Sequence, residues 1–287
     1  GDVYKRQVRD RLQAQKLMAD AIWQKRPQAR RFGALNGRSM ATFYWREVHR
    51  SIKIWGITLA APAIRALLFA GVFALVVGAS GKVVLGLPFL EFLIPGLIAV
   101  AILERAFESA AFSMVYDKSE GLFADIATVP LTPGEVVLAY AGASVTGGLI
   151  AGIAVWTVLL PLGGQVPAEP LALAYFAATG ALIIGLFSQI AGLWAPKWDY
   201  LAGVQTFIFL PFVFLSGVFF SLDQLPAALQ PWARANPIFY IVDGVRFGIT
   251  GRGDTDPLIG VIVTLVCITV LAALSYRLFA IGYRFKS

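Results

Sequence analysis

The chain has 287 residues, of which 58% are hydrophobic and 14% are charged, whereas a soluble domain carries about 25% charged residues. This composition excludes a soluble globular enzyme and makes the lipid bilayer the main solvent of the fold. The only cysteine, Cys267, lies in an apolar run. A disulfide framework and a zinc site are therefore excluded within a single chain.

The charges are spread unevenly along the chain. Residues 1–53 hold 13 of the 24 Lys and Arg but 4 of the 17 Asp and Glu, a net charge of +9, so the other 234 residues carry −2. A basic segment directly ahead of apolar spans is typical of the cytoplasmic side of a membrane protein. We therefore interpret residues 1–38 as a basic polar tail without a secretory signal pattern, and we expect no nucleic-acid partner.

Six apolar stretches are long enough to cross the bilayer, which takes roughly 20 helical residues. Four of them contain a charge-free stretch, at 136–168, 170–196, 200–222 and 257–276, whereas the first contains Arg65 and the second contains Glu104, Arg105 and Glu108. The sequence predicts an all-α membrane protein with six transmembrane helices. The predicted spans cover about 54–79, 90–116, 134–160, 170–194, 200–221 and 257–280.

Six spans place both termini on the same side of the membrane. Thirteen basic residues precede the first span. Three more, Arg277, Arg284 and Lys286, lie at or after the end of the last span. By the positive-inside rule, that side is the cytoplasm.

An amphipathic pattern precedes the first span. Tyr44, Val48, Ile52 and Trp55 recur at helical spacing, and a second stripe contains Arg46, His49, Arg50 and Lys53. The pattern predicts an interfacial helix on the inner leaflet over about 39–53. A cytoplasmic extension of the first span is the alternative.

The cytoplasmic segment between the second and third spans contains a small apolar set: Leu122, Phe123, Ile126 and Val129. This spacing predicts a short helix that either packs under the bundle or docks into a partner's groove. Thr132-Pro133-Gly134-Glu135 forms a capping box, so the third span begins sharply there. Within that span, Gly148 and Gly152 permit close helix packing, inside the chain or between copies.

The outer segment before the last span is apolar for a loop. Asn236-Pro237 is a helix-start signal for a helix that runs to about Ile249, with Asp243 and Arg246 one turn apart. The sequence predicts a broken, re-entrant helical hairpin over about 222–250, whose joints must be covered by protein or water.

The polar residues of the first two spans, Arg65, Glu104, Arg105 and Glu108, have two interpretations. They line a translocation path, or they form ion pairs that hold one helix against another. Catalytic patterns are otherwise missing from the sequence: His49 is its only histidine, and no G-x-x-x-x-G-K-[ST] phosphate loop occurs.

Taken in order, these features resemble the type-2 ABC transporter permeases, a family that includes exporters of nodulation factor, polysaccharide and drugs. Three stretches carry the resemblance. Phe92-Leu-Ile-Pro-Gly96 is similar to the entry of the family's second span, and residues 121–135 are similar to its cytoplasmic loop. The most specific stretch is the outer one, with Leu215-Ser-Gly217-Val-Phe-Phe220, Leu225-Pro226, Asn236-Pro237, Tyr240, Asp243-Gly244 and Arg246.

The resemblance covers about residues 40–287 and implies a permease domain over 39–287. It implies a homodimer or pseudo-dimer of permeases in the bacterial inner membrane that works with two copies of a separate ABC ATPase. This chain would then need no cofactor, and ATP and magnesium would bind to the partner subunit. Arg65 and the charges of the second span depart from the family's usual pattern.

The resemblance also assigns roles to particular residues. An ATPase-coupling role is implied for Asp117, Glu120, Gly121, Leu122, Phe123, Asp125 and Ile126. The interfacial helix would be represented by Tyr44, Arg46, Val48 and Arg50, and the outer hairpin by Gly217, Phe220, Pro226, Asn236, Pro237, Asp243 and Arg246. The cargo would be hydrophobic or lipid-linked.

Two other functional classes remain open from the sequence. A stand-alone secondary transporter or channel would need no ATPase but would be expected to contain internal repeats. A membrane-embedded lipid-modifying enzyme would need an acid or nucleophile cluster at one interface, for which Glu104 and Glu108 are the candidates.

Overall fold

The computed structural model describes residues 36–77, 81, 83–123 and 129–284, and nearly all of its regular structure is helical. The described residues belong to one compact unit, Asn36–Ser287; the predicted basic tail, apart from residues 36–38, lies outside them. The helices are α1 Gly37–Lys53, α2 Ala61–Val77, α3 Phe89–Ser119, α4 Pro133–Leu159, α5 Pro170–Trp194, α6 Trp198–Val204, α7 Leu210–Phe214, α8 Gln230–Ala235, α9 Pro237–Thr250 and α10 Pro257–Ala280.

Short elements connect or extend these helices. π-helical turns cover Gly56–Ala60 and Gln205–Phe209, and 3₁₀ turns cover Leu160–Leu162 and Leu222–Gln224. The strands β1 Val83–Val84 and β2 Leu87–Pro88 pair antiparallel, with Val83 opposite Pro88. This small hairpin before α3 was not predicted from the sequence.

Within the described residues, four helical segments are long and apolar enough to cross a membrane. They are Thr58–Val77, Pro133–Leu162, Pro170–Trp194 and Pro257–Ala280. Helix α3 is the longest, at 31 residues, but its central charges interrupt its apolar character. These helices agree with the predicted all-α membrane protein, and the count of six spans stays a prediction.

The fifth predicted span is shorter than expected. We predicted a helix over about 200–221, but the apolar helical segment is Trp198–Phe214. The chain then turns, and Gly217 adopts φ +77°, a left-handed conformation that glycine tolerates best. The residues of this turn are apolar, so hydropathy did not distinguish them from the helix.

Helix α4 starts as predicted. The Thr132 hydroxyl accepts a hydrogen bond from the Glu135 N–H at 3.3 Å, and the Glu135 carboxylate accepts one from the Thr132 N–H at 2.7 Å. This reciprocal pair is a capping box, which satisfies otherwise unpaired donors at the helix start.

Further along α4, a Cβ placed on Gly148 would lie 2.9 Å from the Ile102 carbonyl oxygen of α3. The small-residue pair therefore serves packing within the chain.

Helix α3 lies at the centre of the core. It packs against α2, α4, α5 and α9, and its buried side chains extend along its length, including Phe92, Leu103, Phe107 and Met114. By contrast, α10 and the Thr58–Val77 segment expose most of their apolar side chains. Apolar outer surfaces of this kind suit helices that face lipid.

One end of the bundle collects α1, the end of α3, the start of α4 and the ends of α5 and α10; we call it the basic end. The Asn36 N–H donates to the Glu135 carboxylate, and Arg46 and Arg50 of α1 pair with Asp117 near the end of α3. Arg284, after α10, donates to the Trp194 carbonyl at the end of α5.

The opposite end, which we call the hairpin end, collects the start of α3, the approach to α5 and the segment from Gly217 to Asp254. The Glu169 N–H donates to the Gly248 carbonyl at 2.9 Å. Within this end, the Asn236 side chain accepts a hydrogen bond from the Ile238 N–H at 3.0 Å and caps α9, as predicted. The predicted hairpin contains two short helices, α8 and α9, and its re-entry into the membrane stays a prediction.

We predict that Gly248→Ala destabilises the fold by about 1–3 kcal/mol because it overpacks the contact between α9 and α5. A Cβ at Gly248 would lie 2.5 Å from the backbone nitrogen of Leu173, which cannot move cheaply. Thermal unfolding in detergent measures the effect. Gly71→Ala in α2 is the control, since its Cβ would meet nothing within 4 Å; equal unfolding temperatures for the two variants would contradict the prediction.

Candidate functional site

Asp117 joins α1, the predicted interfacial helix, to the end of α3. Its carboxylate is 1% exposed, and it accepts from Arg50 at 2.8 Å and from Arg46 at 3.2 Å. Two arginines on adjacent turns of α1 therefore converge on one buried acid, which fixes the position of α1 against α3. We predicted Asp117 as part of the coupling loop, whereas the structure places it on α3 itself.

A second buried acid completes this arrangement. Glu47 of α1 lies 2.7 Å from Arg46 and accepts a hydrogen bond from the Ser113 hydroxyl of α3. Two carboxylates thus balance two guanidinium groups, as buried charges require. Sequence reasoning did not select Glu47 or Ser113, because an acid inside a basic stripe and a serine inside an apolar span carry no signal of their own.

The apolar side of α1 is divided between the core and the surface. Val48 and Phe43 are buried, while Trp55, beyond the end of the helix, is exposed. The Tyr44 hydroxyl lies 2.8 Å from the Thr146 hydroxyl of α4. Helix α1 is therefore packed on both α3 and α4, and its basic stripe is turned partly toward protein.

The chain leaves α3 through Glu120 and Gly121, and Gly121 adopts φ +72°. Leu122 is then 48% exposed, whereas the Phe123 side chain is buried and its ring lies 5.2 Å from the Lys118 Nζ. Asp125 and Ile126 lie outside the described residues, so the predicted short helix is untested. Within the described part of this loop, Leu122 and Val129 present apolar side chains outward, and Leu122 is the more exposed of the two.

Lys118, which we did not select from the sequence, holds the end of α5. Its Nζ donates to the carbonyl oxygens of Gly192 at 2.8 Å and Leu193 at 2.7 Å. Such contacts satisfy the unpaired carbonyls of a helix end. Burial and the nearby positive charge of Arg284 lower the pKa of Lys118 to about 8, so the group stays mostly protonated at pH 7.

The four polar residues of the predicted spans form two separate ion pairs. Arg65 of α2 contacts Glu104 of α3 at 2.8 Å, and Arg105 contacts Glu108 at 3.1 Å along α3. Arg105 also donates to the Ser51 hydroxyl of α1 at 2.8 Å. These contacts agree with the helix-packing interpretation of the four residues. The translocation-path interpretation stays a prediction.

Arg246 is the most enclosed charge at the hairpin end, with 0% of its surface exposed. It donates to the Gly217 carbonyl at 2.6 Å, and its guanidinium lies 3.9 Å from the centre of the Phe92 ring. Asp243 and Asp254 approach it at 3.7 and 3.6 Å. One side chain therefore ties α9 to the start of α3, to the turn after α7 and to the loop before α10.

The other residues predicted for the outer hairpin surround this contact. The Asp243 carboxylate accepts from the backbone N–H groups of Asp254 at 2.7 Å and Thr255 at 2.9 Å. Phe220 is half-buried in the turn that contains Gly217, and Pro226 is exposed ahead of α8. The role of Asp254 was missed from the sequence because it lies in a loop, eleven residues after Asp243, which accepts from its backbone N–H.

Comparisons with known proteins give one consistent result. Residues 38–250 match the family described as "ABC-2 type transporter". The chain is 30% identical over 234 residues, covering 79% of it and 90% of the relative, to the "Inner membrane transport permease YadH" of Escherichia coli (strain K12). It is 29% identical over 163 residues, covering 56% of it and 62% of the relative, to "Nodulation protein J" of Rhizobium meliloti (strain 1021).

We predict that Arg246→Met destabilises the protein by about 3–5 kcal/mol, because it leaves the Asp243 and Asp254 carboxylates buried without their counter-ion. Arg252→Met is the matched control: Arg252 is exposed, its guanidinium donates to the Leu85 and Gly86 carbonyls, and its backbone N–H, which the substitution keeps, donates to the Thr250 hydroxyl. Thermal unfolding in one detergent compares the two. An unfolding temperature of Arg246→Met at or above that of Arg252→Met would contradict this assignment.

Proposed function

This chain belongs to the ABC-2 type transporter family, and we propose that it is the membrane subunit of an ATP-driven exporter whose ATP is hydrolysed on separate ABC ATPase chains. Permeases of this kind are non-catalytic membrane subunits. The absence of a phosphate loop in the sequence supports a separate ATPase, which would carry ATP and magnesium.

The observation that carries this proposal is the exposed apolar side chain Leu122 beside a rigid junction. Leu122 follows directly after the helix that holds Asp117, and Asp117 is tied to α1 through two arginines. Movement of a partner bound at Leu122 would therefore be transmitted to α3 and α1 together. Such a junction suits a subunit that receives mechanical work from a docked ATPase.

We place the basic end in the cytoplasm. The described basic residues Arg46, Arg50, Lys118, Arg277 and Arg284 gather there, which is the charge bias of a cytoplasmic face. The interfacial helix α1 would then lie along the inner leaflet, and the hairpin end would face the outside of the inner membrane.

A second copy of the chain would complete the pathway. Arg65 is 50% exposed although it lies on an apolar span, and an ionised group on such a span needs protein or water around it. With Glu104 it lines a cavity of about 280 Å³ between α2, α3 and α7. We infer that a second copy covers this side in a homodimer that carries two ATPase subunits.

The cargo of this exporter is inferred to be hydrophobic or lipid-linked. An apolar cavity of about 340 Å³ lies between α5, α7, α9 and α10, and its walls include Phe187, Phe212 and Val266. Its size is within the usual range of ligand pockets. Apolar walls favour an apolar occupant because burial of a polar group without a partner costs free energy.

We predict that Leu122→Asp lowers the amount of ABC ATPase that co-purifies with the chain by at least about tenfold, because the introduced charge must be desolvated on docking. The measurement is a detergent pull-down of the tagged protein from its native membrane, followed by mass spectrometry. The mass of the wild-type complex also reports whether two permeases and two ATPases are present.

The matched control is Leu229→Asp at the hairpin end, where the leucine is 43% exposed compared with 48% for Leu122. Because both leucines are exposed, either substitution should leave the free energy of unfolding nearly unchanged. If Leu122→Asp retains as much ABC ATPase as Leu229→Asp, the docking role of this loop is wrong.

We predict opposite accessibility for the two ends in intact cells. In a Cys267→Ser background, Ala228→Cys at the hairpin end should react with a membrane-impermeant maleimide added from outside. Ser119→Cys at the basic end should react only after the membrane is permeabilised; both positions are exposed. The reverse labelling pattern would overturn the proposed orientation.

A further inference from the structure

A slot lined by charged and aromatic side chains lies between α1, one face of α3 and the start of α6, with a volume of about 320 Å³. Arg105, Glu108, Phe112 and Tyr116 follow one another along α3 at spacings of three, four and four residues, so they share one face of the helix. This face extends over about 16 Å at the rise of an α-helix. The slot is separate from the Arg65 and Glu104 cavity.

The slot is built from paired charges. Its ionised lining groups are Glu47, Arg50, Arg105 and Glu108, and their charges sum to zero. Arg105 is 6% exposed, and its guanidinium uses two nitrogens for Glu108 and Ser51 although it carries five N–H donors. Glu108 accepts through one carboxylate oxygen from Arg105. Both groups retain capacity for a ligand with complementary charges.

Three aromatic side chains also line the slot. The Phe112 and Trp198 rings meet edge to face at 5.3 Å, and the Tyr116 ring lies 5.4 Å from the Arg50 guanidinium. Trp198 and Tyr116 are exposed beside the slot. Aromatic residues of this type are enriched where membrane proteins meet the lipid headgroups, and their faces attract cations.

We propose that this slot binds the headgroup of a zwitterionic phospholipid from the inner leaflet, with the phosphate against Arg105 and the ammonium between Glu108 and the aromatic wall. Arginine suits phosphate because its donors match the phosphate oxygens. A purely anionic headgroup would meet Glu47 and Glu108 without a matching excess of positive charge. An acyl chain would leave the unused Arg105 donors and the second carboxylate oxygen of Glu108 without partners.

The inference rests on the proposed cytoplasmic placement of the basic end but not on the ATPase partnership. The maleimide experiment tests that placement by itself, so a failure of one idea can be distinguished from a failure of the other. The lipid measurement needs neither ATP nor transport.

The test uses the full chain in nanodiscs that contain equal amounts of phosphatidylethanolamine and phosphatidylglycerol. Native mass spectrometry after gentle delipidation counts the lipids that stay bound. We expect wild type to retain about one phosphatidylethanolamine per chain. Glu108→Gln removes the carboxylate charge and makes the lining groups +1, so its retained ratio of phosphatidylethanolamine to phosphatidylglycerol should fall about tenfold, as for loss of one charge-assisted hydrogen bond.

Glu104→Gln is the matched control, since Glu104 lies on the same helix but lines the other cavity; it should retain the wild-type ratio. Trp198→Ala leaves every charge in place and should reduce retention of phosphatidylethanolamine, and it serves as the second variant if Glu108→Gln does not fold. Wild type that retains phosphatidylglycerol equally well, or a Glu108→Gln ratio equal to that of Glu104→Gln, would overturn the proposal. So would the absence of any retained lipid.

Discussion

The pairing of buried charges is the constraint on which the rest of this structure depends. Arg246 is fully enclosed, and an ionised group in such surroundings is tolerated only with counter-ions and hydrogen-bond acceptors. Asp243, Asp254 and the Gly217 carbonyl provide them. Because these groups lie on three different segments, the ion pairs and the hydrogen bond of one guanidinium also fix the turn after α7 and the loop before α10. The geometry of the hairpin end follows from this requirement.

The basic end meets the same requirement in a different way. Asp117 is enclosed, but its partners Arg46 and Arg50 are partly exposed on α1, so this junction lies at the edge of the protein. Lys118, the next residue along α3, holds the end of α5. Consecutive residues thus connect α3 to helices on two sides, directly before the loop that contains Leu122. A force on that loop would reach both helices through short, charged contacts.

Much of the fold was predictable from local chemistry, and the exceptions have identifiable physical causes. The capping box at Thr132 and the Asn236 cap are short-range signals, and both are confirmed. The end of the fifth span was wrong because Leu215 and its neighbours are apolar in either a helix or a turn. What places the turn is Arg246, 29 residues away in the sequence. The roles of Glu47, Ser113 and Asp254 were missed for the same reason, since each depends on a partner brought near only by folding.

Helical geometry explains why the charges of the second span divide into two ion pairs in the folded chain. Glu104 and Arg105 are consecutive, so their side chains leave α3 about 100° apart. Glu104 therefore meets Arg65 on α2, while Arg105 meets Ser51 on α1 and Glu108 one turn further along α3. A cluster that looks continuous in the sequence becomes two neutral pairs that line two different cavities. The contacts of these residues attach α2 and α1 to α3. Any contact that the two pairs make with lipid or cargo would therefore involve charges that are already neutralised.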